Sequence, residues 1–126
     1  MHKKLKISVV IPVYYGESTI EELCQSLIAV STKMDCSLEI VLINDASPDN
    51  SWDIIERLTF QNNSIQGINF SRNFGQHYAI SAGLAQVNGD WVVVMDCDLQ
   101  DVPEEIEKLY HKAQEGYDVV LARRMI

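Results

Sequence analysis

Basic residues are scarce. Ten Lys and Arg stand against eighteen Asp and Glu, a formal net charge of −8 at pH 7. A surface for nucleic acid or anionic lipid needs a basic stripe, so neither partner is expected. A single phosphorylated ligand stays open, because a metal ion can supply the missing positive charge. Cysteine is sparse and odd in number (Cys24, Cys36, Cys97), with no CxxC pair and no zinc spacing. That argues against a disulfide scaffold and for a reducing compartment, with the cytoplasm as the expected location. No apolar run nears the roughly 20 residues of a membrane span. The run behind Lys3-Lys4-Leu5-Lys6 breaks at Pro12, too short for a signal-peptide core. No GxGxxG follows the first apolar run, and GxxxxGK[ST] and GxSxG are absent. The dinucleotide fingerprint, the P-loop and the hydrolase elbow are thereby set aside.

What remains has the balance of a soluble globular domain: 126 residues, 47% hydrophobic and 22% charged, room for one core and not two. Apolar runs alternate with helical patterns from end to end. Ile7–Val13, Leu38–Ile43, Gly67–Phe70, Trp91–Met95 and Tyr117–Leu121 read as strands. Between them, Ile20, Leu23, Leu27 and Val30 form one helical stripe, behind a capping box Ser18-x-x-Glu21. Trp52, Ile55 and Leu58 form a second stripe, with Ser47-Pro48 read as its start. Ile80, Leu84 and Val87 form a third, stopped at Asn88-Gly89. Ile106, Leu109, Tyr110 and Ala113 form a fourth, opened by Pro103. The order βαβαβαβαβ, with strands written as unbroken apolar runs, predicts a Rossmann-like doubly wound sheet of three layers, mainly parallel. Val9, Ile11, Ile40, Leu42, Val92 and Val94 are expected in its core.

In such a sheet every strand points its C-terminal end to the same edge, where ligands bind. Four polar clusters fall there: Tyr14 to Glu17, Asn44 to Ser47, Ser71 to Gly75, and Asp96 to Asp101. Asp96-Cys97-Asp98 is the most informative, since residues two apart on an extended segment present both carboxylates to one side. Two such carboxylates repel unless a cation lies between them, and Mg²⁺ or Mn²⁺ fits. A plain acidic turn ahead of the Pro103 helix is the competing reading. Ser47 reads as a cap of the second helix and Glu17 as first-turn decoration, whereas Asp45, closer to the strand end, reads either as a cap or as an acceptor for a base or sugar. Arg72 reads as a surface ion-pair partner. Glu104, Glu105 and Glu107 read as a solvated helix start.

Four segments together, SVVIPVYYGESTI, IVLINDASPDNS, FSRNFGQHYAISAGL and GDWVVVMDCDLQDVPEEI, resemble the family-2 glycosyltransferases of the GT-A fold. RNFGQH and DxDLQ-x-x-PEE are similar to the polyprenyl-phosphate branch, of dolichyl-phosphate and undecaprenyl-phosphate type. The resemblance implies metal-assisted inverting transfer of a sugar from a UDP- or GDP-type donor to a lipid-phosphate or glycan acceptor, in cell-wall or lipid-linked glycan synthesis. It implies nucleotide contacts at Pro12, Val13, Tyr14, Glu17, Asp45, Arg72, Gly75, Asp96, Cys97 and Arg124. Metal ligands are implied at Asp96, Asp98 and Gln100. No general base is indicated.

The departures are local. The family's Tyr-Asn-Glu is Tyr14-Tyr15-Gly16-Glu17 here, its double acid is Asn44-Asp45, and Cys97 replaces a small residue. The family's catalytic domain also runs well past a fifth strand, so residues 1–126 are expected to be a single donor-binding domain truncated at its C-terminus. Membrane attachment at the cytoplasmic face would then come only through segments outside this chain, and the missing half would leave apolar surface inviting self-association. Two alternatives remain: a phosphatase-like DxD domain, and a non-catalytic nucleotide-binding fragment.

Overall fold

The computed structural model describes residues 5–98, 107, 108, 111 and 119–121. Five strands, β1 (Lys6–Val13), β2 (Ser37–Asn44), β3 (Ile65–Asn69), β4 (Trp91–Val94) and β5 (Val119–Leu121), form one sheet in the order β3-β2-β1-β4-β5. Every pairing is parallel. Three helices, α1 (Ile20–Lys33), α2 (Ser51–Gln61) and α3 (Gln76–Leu84), connect the first four strands, and residues 107, 108 and 111 are helical ahead of β5. Among the described residues, no helix is long and apolar enough to cross a membrane.

β1 lies at the centre, with Val9 opposite Ile40 on one side and Val93 on the other. The chain leaves it toward β2 and later returns to its other flank as β4. The connections therefore diverge at the C-terminal ends of β1 and β4, where a doubly wound sheet opens a crevice.

The two faces are covered unequally. Val9, Ile11, Val13, Ile40, Leu42, Val93 and Met95 meet Ile20, Leu23 and Leu27 of α1 and Ile55 and Leu58 of α2 in the main core. Val10, Val41 and Ile43 on the opposite face meet Ala79 of α3. Val92 and Val94 share that second face and are only half-buried; Val93 and Met95 occupy the core positions expected of them. A one-residue shift of parity in β4 is enough for this, because successive side chains alternate between faces.

The third helix differs most from its sequence pattern. Leu84, expected in the stripe, is 43% exposed, and the helix ends there, short of Asn88-Gly89. Ala79 and Gly83, four apart, face the sheet instead. A Cβ built on Gly83 falls 2.5 Å from Val10 Cγ1 and 2.8 Å from Ile43 Cδ1, so this helix lies too close to the strands for a larger residue. Gly83→Ala is expected to destabilise the fold by about 1–3 kcal/mol through overpacking, despite its better helix propensity. Urea denaturation checks it; a midpoint at or above that of the parent would contradict the close approach.

Helix starts also depart from the sequence reading. The Ser18-x-x-Glu21 box does not form, and Thr19 precedes α1 without a side-chain cap. The Gly16 carbonyl accepts the amides of Thr19 and Ile20 instead, both at 3.0 Å. Nor does Ser47 cap α2, which begins at Ser51. Glu107 is not simply solvated, since Lys33 at the end of α1 donates to it at 2.7 Å.

At the opposite edge of the sheet, the α3–β4 connection is tied down by a buried carboxylate. Glu39 Oε1 accepts from Ser8 Oγ (2.7 Å) and the Asn88 amide (3.0 Å), and the Gly89 amide donates to Ser8 Oγ (2.9 Å). Burial opposes ionisation of Glu39, but these bonds and the Lys6 ammonium outweigh it and hold its pKa below the usual value.

Candidate functional site

A crevice of about 400 Å³ opens at the C-terminal ends of β1 and β4. Pro12, Val13, Tyr14 and Tyr15 line it from the first strand and its loop, and Asp45 from the second. Gln76 enters from the start of α3, and Asp96, Cys97 and Asp98 from the loop after β4. Seven of the sequence-derived candidates thus share one cavity: Pro12, Val13, Tyr14, Asp45, Asp96, Cys97 and Asp98.

Asp45 is 5% exposed and spends its carboxylate on the loop after β3. Oδ1 accepts the Phe74 amide at 2.8 Å and Oδ2 the Gly75 amide at 3.1 Å, while Asn73 Nδ2 donates to the Asp45 carbonyl at 3.2 Å. Gly75 reaches φ +101°, a backbone that favours glycine, so its amide turns toward the carboxylate. Asp45 is not a cap of α2. It joins the second loop to the third and still borders the crevice.

A second carboxylate, overlooked in the sequence, joins the first loop to the second. Asp49 Oδ1 accepts from Ser47 Oγ and Ser51 Oγ, each at 2.6 Å, and from the Ser51 amide at 3.0 Å. An ionised carboxylate only accepts, so both hydroxyls must donate to it and turn their lone pairs outward. Those lone pairs take the Tyr15 amide (2.7 Å, Ser47) and the Gly16 amide (3.0 Å, Ser51). Burial works against the charge on Asp49, but the serine and amide bonds outweigh it and lower its pKa. Its only sequence signal is the alternation Ser47-x-Asp49-x-Ser51.

Glu17 belongs to the same junction rather than to the crevice wall. Its amide donates to Asp49 Oδ2 at 3.3 Å, and its Oε2 accepts the Asn50 amide at 3.2 Å. Arg72 also stands apart from the lining residues, with its guanidinium 4.5 Å from the Phe74 ring centroid in a cation–π contact. Gly75 contributes through Asp45. Gln100 and Arg124 lie outside the described residues. Gln76 was not singled out in the sequence; its Nε2 reaches Asp96 Oδ1 at 3.5 Å.

Asp96 is half-buried and Asp98 exposed, with Cys97 buried between them. Desolvation raises the Cys97 thiol pKa, and the flanking Asp98 and Asp96 charges add to the rise. Among the described residues, no group of three or more His, Cys, Asp or Glu side chains gathers to enclose an ion. Two carboxylates on one open crevice nevertheless fit Mg²⁺ or Mn²⁺, which takes one or two protein carboxylates and fills its shell with phosphate oxygens and water.

The chain matches the model of Glycosyl transferase family 2 over residues 8–126. It is 43% identical over 120 residues to an undecaprenyl-phosphate 4-deoxy-4-formamido-L-arabinose transferase of Proteus mirabilis, covering 94% of this chain and 37% of that protein. The protein of the same name from Shewanella sediminis is 47% identical over 115 residues, covering 90% of this chain and 35% of the other. The chain thus spans little more than a third of the length of these relatives. Among solved structures, S. aureus TarS in complex with UDP-GlcNAc superposes with a TM-score of 0.68 at 26% identity, covering 88% of this chain and 32% of that one. The mannosyltransferase PcManGT of Pyrobaculum calidifontis, solved with GDP-Man and Mn²⁺, shares the fold with a TM-score of 0.69 at 21% identity, over 82% of this chain and 31% of its own.

Proposed function

The chain belongs to glycosyltransferase family 2, and from that premise we propose that it carries the donor site of an enzyme that transfers a sugar from a nucleoside diphosphate to a polyprenyl phosphate. The observation that carries the proposal is the meeting of Tyr14, Asp45, Asp96 and Asp98 on one crevice at the sheet's switch point. The acceptor class rests on the two transferases at 43% and 47% identity, both named for undecaprenyl phosphate. The donor class rests on the likeness to a structure holding UDP-GlcNAc.

In this reading Pro12, Val13 and Tyr14 border the nucleoside, and Asp45 faces it while fixing the loop that carries Arg72. Asp96 and Asp98 are the residues that would hold Mg²⁺ or Mn²⁺, with Gln100 and Arg124 assigned to the same region from sequence alone. When bound, the ion neutralises charge on the departing diphosphate. Inversion follows if the acceptor attacks the anomeric carbon opposite that diphosphate. A lipid phosphate is already an anionic nucleophile, so this chain need not supply a general base. A lipid acceptor implies a membrane surface, and the cytoplasmic face is part of this proposal because a nucleotide-activated donor is expected there.

The test is chemical-shift mapping of the chain with UDP and with GDP in the presence of Mg²⁺. Shifts at Tyr14, Asp45 and Asp96 are expected. Binding that leaves these loops silent and perturbs another face would sink the placement, and no binding of either nucleotide would sink the donor site itself.

A further inference from the structure

Helix α3 has an outer face without formal charge. Its nine residues include no Asp, Glu, Lys or Arg. The other two helices show solvent the usual charges, Glu22 and Lys33 on α1, Asp53 and Glu56 on α2. The gap extends beyond the helix: from Arg57 to Gly89 the chain has no acid, and all eighteen lie outside that stretch. Ala79 and Gly83 face the sheet, yet Tyr78 is 66% exposed and Leu84 is exposed as well. Phe74, exposed just ahead of the helix, joins them to one patch. Its ring centroid lies 5.4 Å from that of Phe70 and 6.1 Å from that of Tyr78, with the Arg72 guanidinium over it. Water-facing helix surfaces carry charge, and an uncharged, ring-rich one marks a contact with another phase or partner.

We infer that this patch is a membrane-docking surface, seated at headgroup level on the bilayer that carries the acceptor. The inference rests on the polyprenyl-phosphate reading given above. Charge complementarity favours lipid: a chain of −8 is repelled by an anionic bilayer, except where acids are missing and Arg72 is present. The side chains suit the interface too, since Tyr and Phe beside Arg72, His77 and Ser81 resemble an aromatic belt more than a protein core. Size argues against a second copy of the chain. Nine helical residues span about 13.5 Å, small for the roughly 800 Å² per partner of a stable dimer but enough for shallow insertion. The patch also adjoins the crevice. The Phe74 amide is bound by Asp45, and Gln76, at the start of α3, lines the cavity. A lipid phosphate at the bilayer surface would therefore meet the crevice without leaving the interface.

Co-sedimentation with vesicles of phosphatidylcholine and phosphatidylglycerol tests the surface. The double variant Tyr78→Glu/Leu84→Glu is expected to lower the vesicle partition coefficient at least about tenfold. Phe60→Glu removes a more exposed ring (86%) from α2, which packs on the other face of the sheet, and should bind within about twofold of the parent. Tyr78→Trp supplies a direct reporter: its added emission should shift to the blue on vesicles, while Trp52 and Trp91, packed against the core, stay unchanged. Should the double variant prove unstable, that shift decides alone. A parent that leaves vesicles in the supernatant, an equal loss in Phe60→Glu, or no blue shift in Tyr78→Trp would overturn the inference. So would a dimeric parent with a monomeric double variant in analytical ultracentrifugation, which would assign the face to a second copy. Calorimetry with UDP and GDP separates this from the donor-site reading. Nucleotide binding without vesicle binding leaves the donor site standing and sinks this inference; vesicle binding through the patch without nucleotide binding supports the surface and sinks the donor site.

Discussion

Asp45→Ala is expected to cost about 2–4 kcal/mol of stability and to loosen the loop after β3. The carboxylate is 5% exposed and accepts the amides of Phe74 and Gly75. Hydrogen bonds to a charged group contribute about 1.5–3 kcal/mol each, and a donor left without its partner in a buried site adds its desolvation penalty. Water entering from the crevice offsets part of that loss. Asp45→Asn should fall between parent and alanine, because its amide group can turn only one oxygen toward two N–H donors. Urea denaturation gives the stability change, and hydrogen exchange at Phe74 and Gly75 locates it. Exchange at those amides as slow in Asp45→Ala as in the parent would show that the carboxylate is not the anchor. The same variant should weaken nucleotide binding more than the stability loss explains, since Asp45 also borders the crevice.

The sheet was legible because β1, β2 and β4 are written as apolar runs, and burial on both faces leaves few other ways to use them. Element edges moved, and the inward face of β4 shifted by one residue. β3 lies at Ile65–Asn69 instead of Gly67–Phe70, where Gln66 and Asn69 interrupt the hydrophobic signal. The α3 face was misread for a physical reason. A hydrophobicity stripe marks the residues that gain most from burial, but a helix seated tightly on a sheet selects for small volume, so Ala79 and Gly83 face inward.

The site was legible to the extent that strand order decides it. Parallel strands bring their C-terminal loops together whatever those loops contain, and so Tyr14, Asp45, Asp96 and Asp98 converge. Side-chain hydrogen bonds within and between loops carry no periodicity, which is why Asp49, Glu17 and Ser47 were assigned to helix starts or passed over. The DxD taken alone left a phosphatase-like domain open. The family match over residues 8–126 closes that alternative, because it rests on all the loops in order and not on one motif.

Removing divalent metal is expected to lower nucleoside diphosphate affinity by at least about a hundredfold. The chain carries −8 overall, and Asp96 and Asp98 border the crevice assigned to an anion. Like charges about 4 Å apart at an effective dielectric near 20 repel by about 4 kcal/mol, so two carboxylates facing a diphosphate oppose binding unless a cation intervenes. Mg²⁺ or Mn²⁺ reverses the local sign and makes the same carboxylates ligands of the ion that holds the phosphates. The sign reversal gives Asp98→Ala an unusual signature. With Mg²⁺ the variant should bind more weakly than the parent, having lost a ligand to the ion. In EDTA it should bind more tightly than the parent, having lost a repelling charge. Glu56→Ala, exposed on α2 and away from the crevice, should track the parent in both conditions apart from a small change common to both. Calorimetry of UDP and of GDP into the three proteins, with and without the ion, reads all six combinations for each nucleotide. Parallel losses in both conditions would make Asp98 a direct contact or a structural residue. Equal affinity of the parent with Mg²⁺ and in EDTA would leave Asp96 and Asp98 as a polar turn and remove the chemical basis for metal-assisted transfer.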